Sequence, residues 1–122
     1  MLSMHIDNIN DLAVVECQGR IVGSEAFRLR EAVTSQTEAR IVVLDLSEVY
    51  AIAGGGLGML VYLQQWTRDQ GIQFNLFNPS RSVRERLEHV GSIVSVRGST
   101  RLTGLVVESA DLPGALADQI KN

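Results

Sequence analysis

Residues 40–58 read Arg-Ile-Val-Val-Leu-Asp-Leu-Ser-Glu-Val-Tyr-Ala-Ile-Ala-Gly-Gly-Gly-Leu-Gly, and the hydrophobic pattern changes twice within them. Ile41, Val42, Val43 and Leu44 form an unbroken apolar run bounded by Arg40 and Asp45. A strand apolar on both faces belongs in the middle of a sheet whose faces are covered. Asp45-Leu46-Ser47 predicts a turn in which the Asp45 carboxylate accepts a bond from a backbone N–H such as that of Ser47. Val49 to Ala53 then leads into the glycines. From Leu57 to about Gln70 the spacing becomes helical. Leu57, Leu60, Val61 and Gln64 share one flank, Met59, Leu63 and Trp66 widen it, and Gly71 is a fitting stop. A buried strand therefore runs through a glycine-rich junction into a helix.

The same alternation extends outward in both directions. Met4 and Ile6 suggest a short edge strand. Leu12 to Glu16, continuing through Cys17 and ended by Gly19, is rich in β-branched residues and predicts another strand. Ser24 is placed to cap a helix with Ala26, Leu29 and Val33 inward and Arg28, Arg30 and Glu31 outward. Beyond the central helix, Ile72 to Phe77 reads as a strand and Asn78-Pro79-Ser80 as a turn with a cap. A helix follows with Val83, Leu87 and Val90 inward, ended by Gly91. Ile93–Val96 and Leu105–Val107 read as strands, and Ser109 or Asp111 would cap a last helix carrying Leu112, Leu116 and Ile120. The expected architecture is α/β, a mixed four- to five-stranded sheet packed with about four helices, in a single domain over residues 1–122.

Composition narrows the chemistry. The 122 residues carry 11 Lys and Arg against 14 Asp and Glu, a formal charge of −3, one Cys, two His and 11 Gly. The mild acidity argues against a nucleic-acid partner held by phosphate contacts. No apolar stretch approaches the length of a membrane span, and the opening residues lack the pattern of a secretion signal, so a cytoplasmic protein is expected. Cys17 and two histidines give no structural zinc cluster, so no metal and no cofactor is expected. His89 reads as a solvent-side residue near a helix end, Cys17 as a small buried hydrophobe and Asp45 as a turn residue. No nucleophile and base converge, so the chain is expected not to be an enzyme.

The glycine run is what remains: Gly54, Gly55, Gly56 and Gly58, entering a helix. A phosphate loop is excluded because Met59-Leu60 stand where a Walker A motif needs Lys and Ser or Thr. No third glycine falls in register for a dinucleotide fingerprint. Tight packing of the helix start, or a surface that a partner approaches closely, fits better.

Asp45-Leu46-Ser47-Glu48-Val49, followed by Ala51-Ile52-Ala53-Gly54-Gly55-Gly56-Leu57-Gly58, resembles the signature of STAS domains, the anti-anti-sigma-factor family, whose usual form is D-L-S-x-V-x-F-I-D-S-S-G-L-G. Gly19, Gly71, Asn78-Pro79, Val83, Leu87 and Ala115-Leu116 extend the match, while Ser92–Thr103 fits poorly. The resemblance implies a bacterial regulator of transcription working by partner switching. The antagonist binds an anti-sigma factor, a GHKL-type kinase, and phosphorylation of a serine at the start of the second helix breaks the complex. Here the family aspartate falls on Ala53, the phosphorylated serine on Gly54 and the next serine on Gly55. Neither glycine has a hydroxyl, so no phosphorylation site is carried over, and none is transferred to Ser47.

The expected function is thus a non-enzymatic regulatory protein–protein interaction module. Its partner-binding residues are expected to be Ala53, Gly54, Gly55, Gly56, Gly58 and Tyr62. Two other readings stand beside it: a small-molecule, anion or lipid-binding module of a transport or sensing complex, and a structural homo-oligomer. The second is prompted by Met59, Tyr62 and Trp66, more apolar side chains than one helix flank needs.

Overall fold

The computed structural model describes residues 1–93 and 105–107. The elements are β1 (Leu2–Ile9), β2 (Leu12–Ile21), a 3-10 turn (Gly23–Glu25), α1 (Ala26–Thr34), β3 (Ile41–Ile52), α2 (Gly55–Asp69), β4 (Gln73–Phe77), α3 (Arg81–Ile93) and β5 (Val106–Val107). The sheet order is β1-β2-β3-β4-β5; β1 and β2 pair antiparallel and every later pair is parallel. The expected mixed α/β sheet is present, with β3 at its centre. Three helices lie among the described residues; the expected strand residues 94–96 and the expected last helix fall outside them.

Each crossover moves one strand further in the same direction. Right-handed connections repeated in one direction place every helix on the same face of a sheet. Accordingly Ala26, Leu29 and Val33 of α1, Leu60 and Leu63 of α2, and Val83 and Leu87 of α3 bury in one core with Val15, Val42, Leu44 and Leu46. A smaller core of Leu12, Val14, Val43 and Phe77 occupies the opposite face. The Ile41–Leu44 run is apolar on both sides for this reason: alternate residues serve alternate cores.

Several local expectations are corrected. The first strand is eight residues long and joins β2 through the two-residue loop Asn10-Asp11, with Asn10 at φ 57°. Asparagine tolerates this left-handed conformation, and short hairpins need it. Gly19 does not end β2, which continues to Ile21 with Gly19 at φ 102°. Ser24 is not the cap of α1: it sits in the 3-10 turn, and Glu25 precedes the helix without a side-chain cap bond. α3 runs through Gly91 to Ile93, because a glycine weakens a helix by about 1 kcal/mol without forbidding it. Ser80 does cap this helix, its Oγ accepting from Val83 N–H at 3.3 Å.

The turn at Asp45 is present, but inside a continuous strand. The Asp45 carboxylate accepts from Ser47 N–H at 3.0 Å and from the Ser47 hydroxyl. The register of β3 against β2 slips between Glu16 and Gln18 and again between Gly19 and Arg20. The side-chain bond thus holds a bulge rather than a chain reversal.

Candidate functional site

β3 delivers the chain to the glycines at the C-terminal edge of the sheet. Ala53 N–H donates to the Ile21 carbonyl at 3.4 Å, keeping the end of β3 beside the end of β2. Gly54 then takes φ 52°, ψ −116°, a conformation that side-chain-bearing residues rarely adopt. This single residue turns the strand into the helix. The helix begins at Gly55, two residues before the expected start at Leu57, so three of the four glycines lie within its first turn. Gly56 N–H donates to the Ala53 carbonyl at 2.9 Å and Gly58 N–H to Gly54 at 3.2 Å. The N–H groups of Gly56 and Gly58 are thus bonded within the chain.

The glycines divide by role. Gly56 is buried, and a Cβ there would stand 2.0 Å from the Ile21 carbonyl oxygen. It faces the sheet, unlike the exposed glycines of the run. Its position begins the seam Gly56, Leu60, Leu63, Gln64 and Thr67, all buried; Thr67 Oγ1 donates to the Leu63 carbonyl at 2.8 Å. Gly54, Gly55 and Gly58 are exposed, and Ala53 is half-buried. A Cβ at Gly55 would lie 3.4 Å from the Gly23 carbonyl, whereas one at Gly58 would meet nothing within 4 Å. Met59 and Trp66 are partly buried against the main core. That accounts for two of the three apolar side chains that seemed in excess; Tyr62 remains 42% exposed.

On a helix, positions 55, 58 and 62 share a face. The exposed site is therefore a low ridge, two glycines without side chains followed by a tyrosine, and no charged residue occurs between Gly55 and Thr67. At its edge the Arg30 guanidinium of α1 lies 5.3 Å from the centroid of Tyr62 and 5.3 Å from that of Phe27. Phe27 is 55% exposed. Each such stack contributes about 0.5–1 kcal/mol at an exposed position, enough to orient the arginine. Phe27 and Arg30 were missed in the sequence reading of the site. The available signal was Phe27 itself, an aromatic residue off the Ala26–Leu29–Val33 stripe.

The other candidates stay bland. His89 is exposed. Cys17 is 1% exposed, and burial, reinforced by the nearby Asp45 carboxylate, pushes its thiol up to about 12. A thiol held protonated in the fold favours folding fully below its unfolded pKa, near 9, and that contribution fades as pH rises toward 12. Urea titrations should therefore show parent stability falling relative to Cys17→Ala by roughly 1.4 kcal/mol per pH unit above pH 9. Parallel pH profiles for the two proteins would contradict this. Native Cys17 should also resist alkylation until the chain unfolds.

The STAS domain family profile matches residues 3–103. No curated protein matches the chain by sequence. Among solved structures, it is similar to the anti-sigma factor antagonist SpoIIAA in its unphosphorylated form, with TM-score 0.73 and 12% identity, covering 98% of this chain and 96% of that one. It also resembles the STAS domain of a SulP transporter from Vibrio cholerae, with TM-score 0.64 and 21% identity over 94% and 85% of the two chains. The murine anion transporter Slc26a9 gives TM-score 0.71 and 18% identity, covering 95% of this chain and 19% of that one. No helix among the described residues is long and apolar enough to cross a membrane.

Proposed function

Since the chain belongs to the STAS domain family, we propose that it is a non-enzymatic regulatory module that acts by binding another protein, in the manner of an anti-sigma factor antagonist. The observation that carries this reading is the exposed ridge of Gly54, Gly55, Gly58 and Tyr62 at the sheet's C-terminal edge. A helix start bare of side chains lets partner backbone approach closely, and an aromatic anchor beside it suits a contact centre. Gly54 and Gly55 stand where the family carries serines, so phosphate on this loop does not control binding. The partner is an anti-sigma factor, a GHKL-type kinase, in a cytoplasmic and bacterial setting, and the module is a single domain.

The test uses Gly58→Arg, because Gly58 has open space around it and tolerates a side chain without backbone strain. Against the GHKL-type anti-sigma kinase of the same organism, calorimetry should show at least a 100-fold loss of affinity, from a long charged side chain in the middle of the contact. Circular dichroism and melting should stay those of the parent. Unchanged binding by Gly58→Arg would remove the ridge from the interface.

A further inference from the structure

On the sheet face opposite the helices, the first two strands carry a cluster unrelated to the ridge. Leu2, Met4 and Ile6 of β1 pack toward the helical core, so strand alternation sends His5 and Asp7 to the other face. Glu16 of β2 stands directly opposite His5 in the antiparallel register. One ligand atom from each of His5, Asp7 and Glu16 lies within 4.8 Å of the others, and His5 Nε2 is 3.1 Å from Asp7 Oδ1. His5 and Asp7 are exposed and Glu16 is half-buried.

The charge around this cluster is unbalanced. Asp45 of β3 is the register partner of Glu16, so Asp7, Glu16 and Asp45 stand on three neighbouring strands of one face. Like charges directly opposite one another weaken a sheet. Among the described residues, the only ion pair made by any of the three carboxylates is that of Asp7 with His5. The Glu16 carboxylate makes no hydrogen bond or ion pair among the described residues.

We propose that His5, Asp7 and Glu16 form a surface site for a divalent transition-metal ion of the zinc type. One imidazole nitrogen with two carboxylates suits such an ion, whereas calcium and magnesium prefer all-oxygen shells. Three protein ligands leave a coordination position open to water or an incoming group, unlike the closed four-ligand clusters that the composition excludes. The donors sit on paired strands whose register fixes their spacing, a firmer base than a loop. Metal binding replaces the His5–Asp7 hydrogen bond and relieves the repulsion of Glu16 by Asp45.

The experiment titrates zinc chloride into the untagged, metal-stripped chain by calorimetry and follows melting in parallel. One zinc should bind per chain, and free zinc about 100-fold above Kd should raise the melting temperature by about 10 °C. His5→Ala and Glu16→Gln should each weaken binding more than about tenfold. Both positions are away from the cores, and circular dichroism checks that the variants fold. His89→Ala, which alters the other histidine, should bind like the parent, and magnesium should leave melting unchanged. Zinc binding that survives His5→Ala, or melting indifferent to zinc, would overturn the site.

Discussion

Gly56→Ala should destabilise the fold by about 3 kcal/mol or more, although it adds one methyl group to a helix. The new Cβ would lie 2.0 Å from the Ile21 carbonyl oxygen and 2.8 Å from its carbon. Both are backbone atoms of β2, so no side-chain rotation relieves the overlap. Either α2 lifts from the sheet, opening the seam at Leu60 and Leu63, or the ends of β2 and β3 separate. At roughly 3–6 °C per kcal/mol for a domain of this size, the melting temperature should fall by about 10–18 °C. Gly58→Ala provides the contrast. Its methyl meets open space in the same helix, and alanine is the better helix former by about 1 kcal/mol. Thermal melts of the two variants should move in opposite directions; equal shifts would refute the close approach of α2 to β2.

Leu44→Ala should cost a similar or larger amount, about 3–5 kcal/mol. Leu44 is 0% exposed on the middle strand of the sheet, where all three described helices contribute to the core it occupies. Removing its branched end forfeits hydrophobic transfer energy and leaves a cavity between rigid neighbours, which collapse only partly. Val43→Ala, one residue earlier, loses fewer carbons from the smaller core on the opposite face and should cost distinctly less. Urea midpoints at constant m-value measure both. A larger loss for Val43→Ala would mean that the helical face is not the dominant core.

How much of this was legible in advance depends on the range of the interactions. The Ile41–Leu44 run and the Asp45–Ser47 bond involve neighbouring residues, and both stand as read. The inward Ala26, Leu29 and Val33 of α1 and Val83 and Leu87 of α3 are equally plain, while the side chain of Val90, also expected inward, lies outside the described residues. The division of labour among the glycines was not plain. Gly56 is a packing residue only because the Ile21 carbonyl passes beneath it, 35 residues earlier in the chain. Nothing in the letters separates it from Gly58. The stack of Arg30 between Phe27 and Tyr62 likewise requires α1 and α2 to be neighbours, and the meeting of His5 with Glu16 requires the register of the first hairpin. Gly91 misled for the opposite reason. A glycine weakens a helix locally without forbidding it, and α3 continues past Gly91 to Ile93.

The backbone at Gly54 also bears on how such a chain could change over time. A serine placed at this position by mutation would bring a hydroxyl, but on a residue held at φ 52°, ψ −116°, where a Cβ is unwelcome. The surrounding loop would have to be rebuilt before that hydroxyl could serve as a switch. A hydroxyl-bearing residue suited to this junction is therefore more than one substitution away from the present backbone geometry.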